Sequence, residues 1–194
     1  MSQNMPEVKG VVLDAWMSLL KERFGPHIVS EKLMLLAAED RALVSTKFLA
    51  SGWYPFQTLY SLRKLSHHLL SSRANRDFDV EIGRYMAHHA FTGVYKILVA
   101  KNPIKQAEKL TQVNELIFNG GREMEVEVTG PASCLVRYWY TDGMTGSRAI
   151  CGSHVGFVSE IMSLSGAIDI KCVRQPKCVA KGDDCCELVF EWKG

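Results

Sequence analysis

Near the end of the chain, "CVAKGDDCCELVFEW" places Cys178 and Cys186 on either side of a turn centred on Gly182. Soft thiolates are the ligands that suit zinc, which takes about four N, S or O donors arranged tetrahedrally. A hairpin with Cys178 ending one arm and Cys186 beginning the next brings two thiols together. A third, Cys151, opens a helical segment, and a helix N-terminus favours the thiolate. The same residues also suit a plainer role, as small apolar side chains packing a strand pair. Spacing alone leaves both open.

The rest of the chain must hold these sulfurs in place. At 194 residues it suffices for a single domain, expected over 1–194 with a helical part at 1–119 and a sheet part at 120–194. Apolar residues at helical spacing run through "VKGVVLDAWMSLLKERFG", ended by Gly25-Pro26. A second helix is expected over "EKLMLLAAEDRALV", with Ser30 as its cap. "FLASGWYPF" is an extended or irregular connection whose aromatics pin it to the core. Pro55 opens a third helix. The fourth and longest is expected over "FDVEIGRYMAHHAFTGVYKILVAK", and Asn102-Pro103 opens a fifth. After Gly120-Gly121 the period changes to two in "REMEVEVTG", followed by "SCLVRYWYTDG". The helix "RAICGSHVGFVSEIMSLSG" and two closing strands, "AIDIKCV" and "CELVFEW", complete an α+β chain with a β-β-α-β-β antiparallel sheet.

Composition narrows the function. With 23 basic and 21 acidic residues and no basic stripe, a nucleic-acid partner is not expected. The apolar runs are too short to cross a bilayer and the N-terminus lacks a secretory pattern, so a cytoplasmic location is expected, with its cysteines as thiols or metal ligands. No nucleophile elbow, phosphate loop or His-Glu-x-x-His motif is present, and the chain is expected to bind and not to catalyse. Phe78, Ile82, Tyr85, Met86, His89, Gly93 and Ile97 fall on one face of the fourth helix, which puts His89 inward as a pocket group.

"CGSHVGF" from Cys151, followed by the closing hairpin, resembles the 4-vinyl-reductase type of sensory domain, shared by aromatic-responsive transcriptional activators. The resemblance implies zinc held by Cys151, Cys178 and Cys186. The family's fourth ligand, a Glu, is replaced here by Gln175, with His154, Cys172 or Cys185 as substitutes. It further implies an apolar pocket for a small aromatic molecule, using Trp139 and a histidine; His89, Met86 and Tyr85 are the residues expected beside it. Over its whole length, through "VKG", "LASGWYPF" and Trp192, the chain resembles a family of uncharacterised myxobacterial paralogues related in fold to the haem-nitric-oxide-binding (H-NOX) and TRAPP-type domains. Haem is not expected, because "LVRYWYTDG" lacks the Tyr-x-Ser-x-Arg element that serves the haem carboxylates in H-NOX domains. The resemblance thus implies a non-catalytic, homodimeric sensory module for a small apolar or aromatic molecule, with a homodimeric TRAPP-like scaffold without ligand and a haem gas sensor as alternatives.

Overall fold

The helical part is closed by a small sheet that hydrophobic periodicity does not reveal. The computed structural model describes residues 5–70, 76–142, 144 and 148–193, without the side chains of 76, 77, 148 and 149. Strand β1 (Glu7–Lys9) pairs antiparallel with β2 (Trp53–Pro55) on one side and β3 (Phe118–Asn119) on the other. Val8 stands opposite both Tyr54 and Phe118 and is fully buried. The connection at "SGWYP", expected to be extended or irregular, is thus extended in part, as strand β2.

Helix α1 (Gly10–Phe24) follows β1 directly and buries Val12, Trp16 and Leu20 along one side. It stops at Gly25, whose φ of 84° lies in the region that glycine enters without steric cost. Pro26 then begins α2 (Pro26–Lys32), since its fixed φ suits a first helical turn. Ser30 lies inside α2 and caps nothing. The single helix expected after it is broken into α2, a 3-10 turn at Leu33–Leu35 and α3 (Ala38–Val44). "KLMLLAA" offers no polar face for a straight helix. The break buries Leu36 and leaves Met34 and Leu35 exposed.

Helix α4 (Phe56–Leu69) starts after Pro55, and α5 (Arg76–Thr92) ends before Gly93, nine residues short of the expected Lys101. The chain turns there through a 3-10 segment at Lys96–Leu98, with Ile97 exposed. Asn102 caps α6 (Pro103–Ile117) by accepting from the Lys105 N–H at 3.1 Å.

Strands β4 (Arg122–Gly130), β5 (Ser133–Tyr140), β6 (Ile168–Arg174) and β7 (Cys186–Lys193) form an antiparallel sheet in the order β4-β5-β7-β6. Its inner face carries Cys134, Val136 and Tyr138 from β5 and Cys186, Leu188 and Phe190 from β7, all buried. Helix α7 (Arg148–Leu164) lies between this face and α5. The α+β arrangement expected from the sequence is thus present, with seven α-helices among the described residues.

Three glycines let α5 and α7 meet at backbone distance. A methyl group on Gly83 would lie 2.0 Å from the Ser153 carbonyl oxygen, and one on Gly156 would lie 2.0 Å from that of Val80. At Gly152 the obstacle is the Asp79 Cβ, 2.8 Å away. Backbone cannot yield as a side-chain tip can, so the helices must separate to admit even one carbon. Gly156→Ala is expected to destabilise the fold by about 1–3 kcal/mol or more, the usual cost of overpacking. Urea unfolding measures this, and an unchanged midpoint at unchanged slope would refute the backbone contact.

Candidate functional site

Two adjoining sites share helix α7. The first is a cluster of three sulfurs. Cys151 projects from the first turn of α7, Cys178 precedes the 3-10 turn Val179–Lys181, and Cys186 begins β7. The turn that joins the last two is built locally. Gly182 adopts φ 98°, the Asp183 carboxylate accepts from the Cys178 N–H at 2.7 Å, and the Glu187 N–H donates to the Lys177 carbonyl at 3.0 Å. Cys151 Sγ then lies 3.4 Å from Cys186 Sγ and 4.0 Å from Cys178 Sγ, with all three residues buried.

This spacing makes the thiols unequal. The hydrogen bond from Cys151 favours the Cys186 thiolate, against the opposing effect of burial, and the Val179 N–H adds to it at 3.4 Å. Cys151, as the donor, is pushed up. The Tyr140 hydroxyl lies near enough to favour the Cys186 thiolate as well, although no group meets that oxygen in hydrogen-bond geometry. Among the described residues no fourth His, Cys, Asp or Glu joins the three sulfurs. Gln175, at the expected fourth position, instead lines a groove with β6 residues and Arg84, and His154 serves the second site.

That second site is a cavity of about 40 Å³ where α1, α4 and α5 face α7 and the start of β4. Its walls include Trp16, Phe56, Met86, Phe118 and Phe157, and its polar groups include Arg122 and His154. His154 sits one turn beyond Cys151 on α7, only 5% exposed, with its ring stacked on Tyr138 at 3.9 Å. Arg122 NH1 reaches His154 Nε2 at 2.6 Å. A guanidinium only donates, so Nε2 accepts and the ring proton resides on Nδ1. Nδ1 is buried and has no partner among the described residues. Burial, aided by the Arg122 charge, holds the imidazole neutral by driving its pKa well below the ordinary value. Burial also brings Arg122 down to about 10, which still leaves it charged at neutral pH.

The four residues expected to line one pocket are divided. Met86 lines the cavity. Tyr85 and His89 lie on the outer side of α5 beside α1, where His89 Nε2 is 3.2 Å from Asp14 and the Tyr85 hydroxyl donates to Glu22. Helix α5 buries Phe78, Ile82, Met86 and Ala90, every fourth residue, and this stripe leaves His89 on its flank. Trp139 alternates with the buried Tyr138 and so belongs to the outer face of β5, opposite Glu123. Arg122 was missed in the sequence, where it is one more charged residue at a strand start. His154 was visible there only as a substitute zinc ligand.

No family model matches this chain, and no curated protein matches it in sequence. Solved structures do match. An H-NOX protein from S. oneidensis in the Fe(II)NO ligation state shares 15% identity at a TM-score of 0.73, covering 96% of this chain and 99% of the other. Fe(II) unliganded H-NOX protein from K. algicida gives 13% and 0.67, with 96% and 97% covered. A structure from work on heme distortion in the H-NOX family gives 11% and 0.67, with 96% and 95% covered. These likenesses correct the cofactor expectation of zinc in place of haem: the neighbours are H-NOX proteins described by their iron and heme states, and haem returns as the cofactor to test. At such identities the likeness establishes architecture, and the chain has the H-NOX fold.

Proposed function

We propose that this chain is a non-catalytic sensory module that binds a small molecule in the cavity between its helical layer and α7. The observation that carries this reading is the bonded pair of half-buried Arg122 and buried His154, set with Arg63 and Ser153 into a mainly aromatic and aliphatic wall. Apolar walls supply affinity, and a few placed polar groups supply orientation. A ligand that prefers one packing of α7 against the helical layer would shift the population of that state, which is what a sensor requires.

The haem-bound gas sensor is the form of this reading that the fold likeness supports. A bound ferrous haem supplies an iron that takes up diatomic gases. The residues as arranged do not fit it: the cavity of about 40 Å³ is far below the roughly 300–1,000 Å³ of ordinary ligand pockets. Both nitrogens of His154 are also committed, one to Arg122 and the other to its proton. A haem-bound form would therefore differ from this one at the Arg122–His154 bond. Titration of the purified chain with haemin tests the haem form. A saturable Soret band at one haem per chain, lost in His154→Ala, is expected if the imidazole is released to the iron. An absorbance no different from free haemin would remove haem and leave the cavity to a smaller ligand.

The neutral state of His154 has its own signature. In the unfolded chain the imidazole takes a proton near pH 6.5, while in the fold it resists protonation. Its contribution to stability is present above that value and is lost as pH falls towards the depressed folded pKa, by up to about 1.4 kcal/mol per pH unit. Urea midpoints measured at pH 7.5 and pH 5 should fall more steeply for the parent chain than for His154→Gln. Equal slopes would mean that the ring is protonated in the folded state.

A further inference from the structure

Arg122 carries a charge that the surrounding protein does not balance. Its Nε donates to Asn114 Oδ1 at 2.9 Å, its NH1 to His154 Nε2 at 2.6 Å, and its guanidinium carbon lies 3.4 Å from the centroid of the Phe118 ring. All three partners are neutral. Among the described residues no carboxylate comes within 4.0 Å of it, whereas Arg23, Arg63 and Arg137 each have one. Arg122 is half-buried, and a charge partly withdrawn from water is ordinarily paired, because desolvation is costly and neutral dipoles recover only part of that cost.

The second observation is the orphaned Nδ1–H of His154. This residue is a buried donor lining the same cavity, and it is fixed as a donor by the Arg122 bond itself. Arg63 also lines the cavity but has the Asp79 carboxylate at 4.0 Å, whereas Arg122 and the His154 N–H lack the same complement, a compact anion with oxygen acceptors. A water molecule could accept from His154 but would leave the charge unbalanced. A dianion such as sulfate would leave one charge uncompensated, and its further oxygens would face apolar walls. A carboxylate matches the single charge, supplies the acceptor that Nδ1–H lacks and presents an apolar tail to the rest of the wall. The volume of about 40 Å³ limits it to a few non-hydrogen atoms, with a methyl or ethyl group against Phe56, Met86 and Phe157.

Resting on the reading of this cavity as the ligand site, we propose that its ligand is a short-chain monocarboxylate, its carboxylate accepting from His154 Nδ1–H and compensating the Arg122 charge across the imidazole ring. The test is thermal unfolding of the full chain in propionate against propionamide, its neutral counterpart of the same shape, at constant ionic strength. Propionate should raise Tm in a saturable manner and propionamide should not. Arg122→Met should weaken the propionate response by roughly tenfold to a hundredfold, the range for a charge-assisted pair.

Equal responses to propionate and propionamide, or none to propionate, would overturn the inference. The comparison uses the parent chain alone, so it holds even if Arg122→Met fails to fold. Stabilisation by a neutral apolar probe such as toluene, without a propionate effect, would overturn the anion and keep the cavity as a ligand site. A parent chain that responds to neither probe nor to haemin would overturn both.

Discussion

The backbone contact between α5 and α7 is the constraint on which the rest depends. With no side chain at Gly83, Gly152 or Gly156, α7 settles against α5 at a distance that no other residue type allows. That depth lets the opposite side of α7 meet the sheet, so that Cys151 reaches the closing hairpin and His154 lies flat on Tyr138. A helix held even slightly farther out would open the cavity at one end and pull the sulfurs apart at the other. Packing density transmits such a shift, since interiors leave little slack to absorb it.

The two sites are joined through α7 and through the tyrosines of β5. Tyr138 stacks on His154, and Tyr140 lies beside Cys186 while its ring also faces His154. The thiol cluster fixes the start of α7 to the hairpin, and the imidazole one turn later forms part of the cavity wall. A change in the state of the sulfurs would therefore be felt at His154 through a short rigid path. The converse holds for a ligand at Arg122. By linkage, whatever favours one arrangement of α7 at one site favours it at the other.

Much of this architecture was legible in the residues. The strands of the large sheet announce themselves by alternation, and Gly182 between Cys178 and Cys186 marks the turn that brings their flanks together. The convergence with Cys151 follows from one helix and one hairpin, both locally encoded. The small sheet was not legible, because segments of two or three residues carry no period. The inward placement of His89 failed because a helix face of five apolar positions is wider than the stripe actually buried, and Asp14 on a neighbouring helix claims the ring. Trp139 was misplaced by one step of strand parity, which only the paired register decides. Gly152 and Gly156, four apart on one helix, were the available signal for close packing beside His154, and they went unused as such.

The three short strands have a bearing on how the chain acquires its shape. β1 pairs with β2 across about forty-five residues and with β3 across about one hundred and ten, so that one triplet near the start fastens two distant segments. Contacts of such long range demand chain closure before they return any stabilisation. The helices and the α7–sheet unit can assemble through nearer neighbours, leaving Val8 to slot in afterwards. During synthesis β1 would have β2 on one side early but would hold its other edge unmatched until residue 118 had been made, exposed in the meantime to whatever else could pair with it.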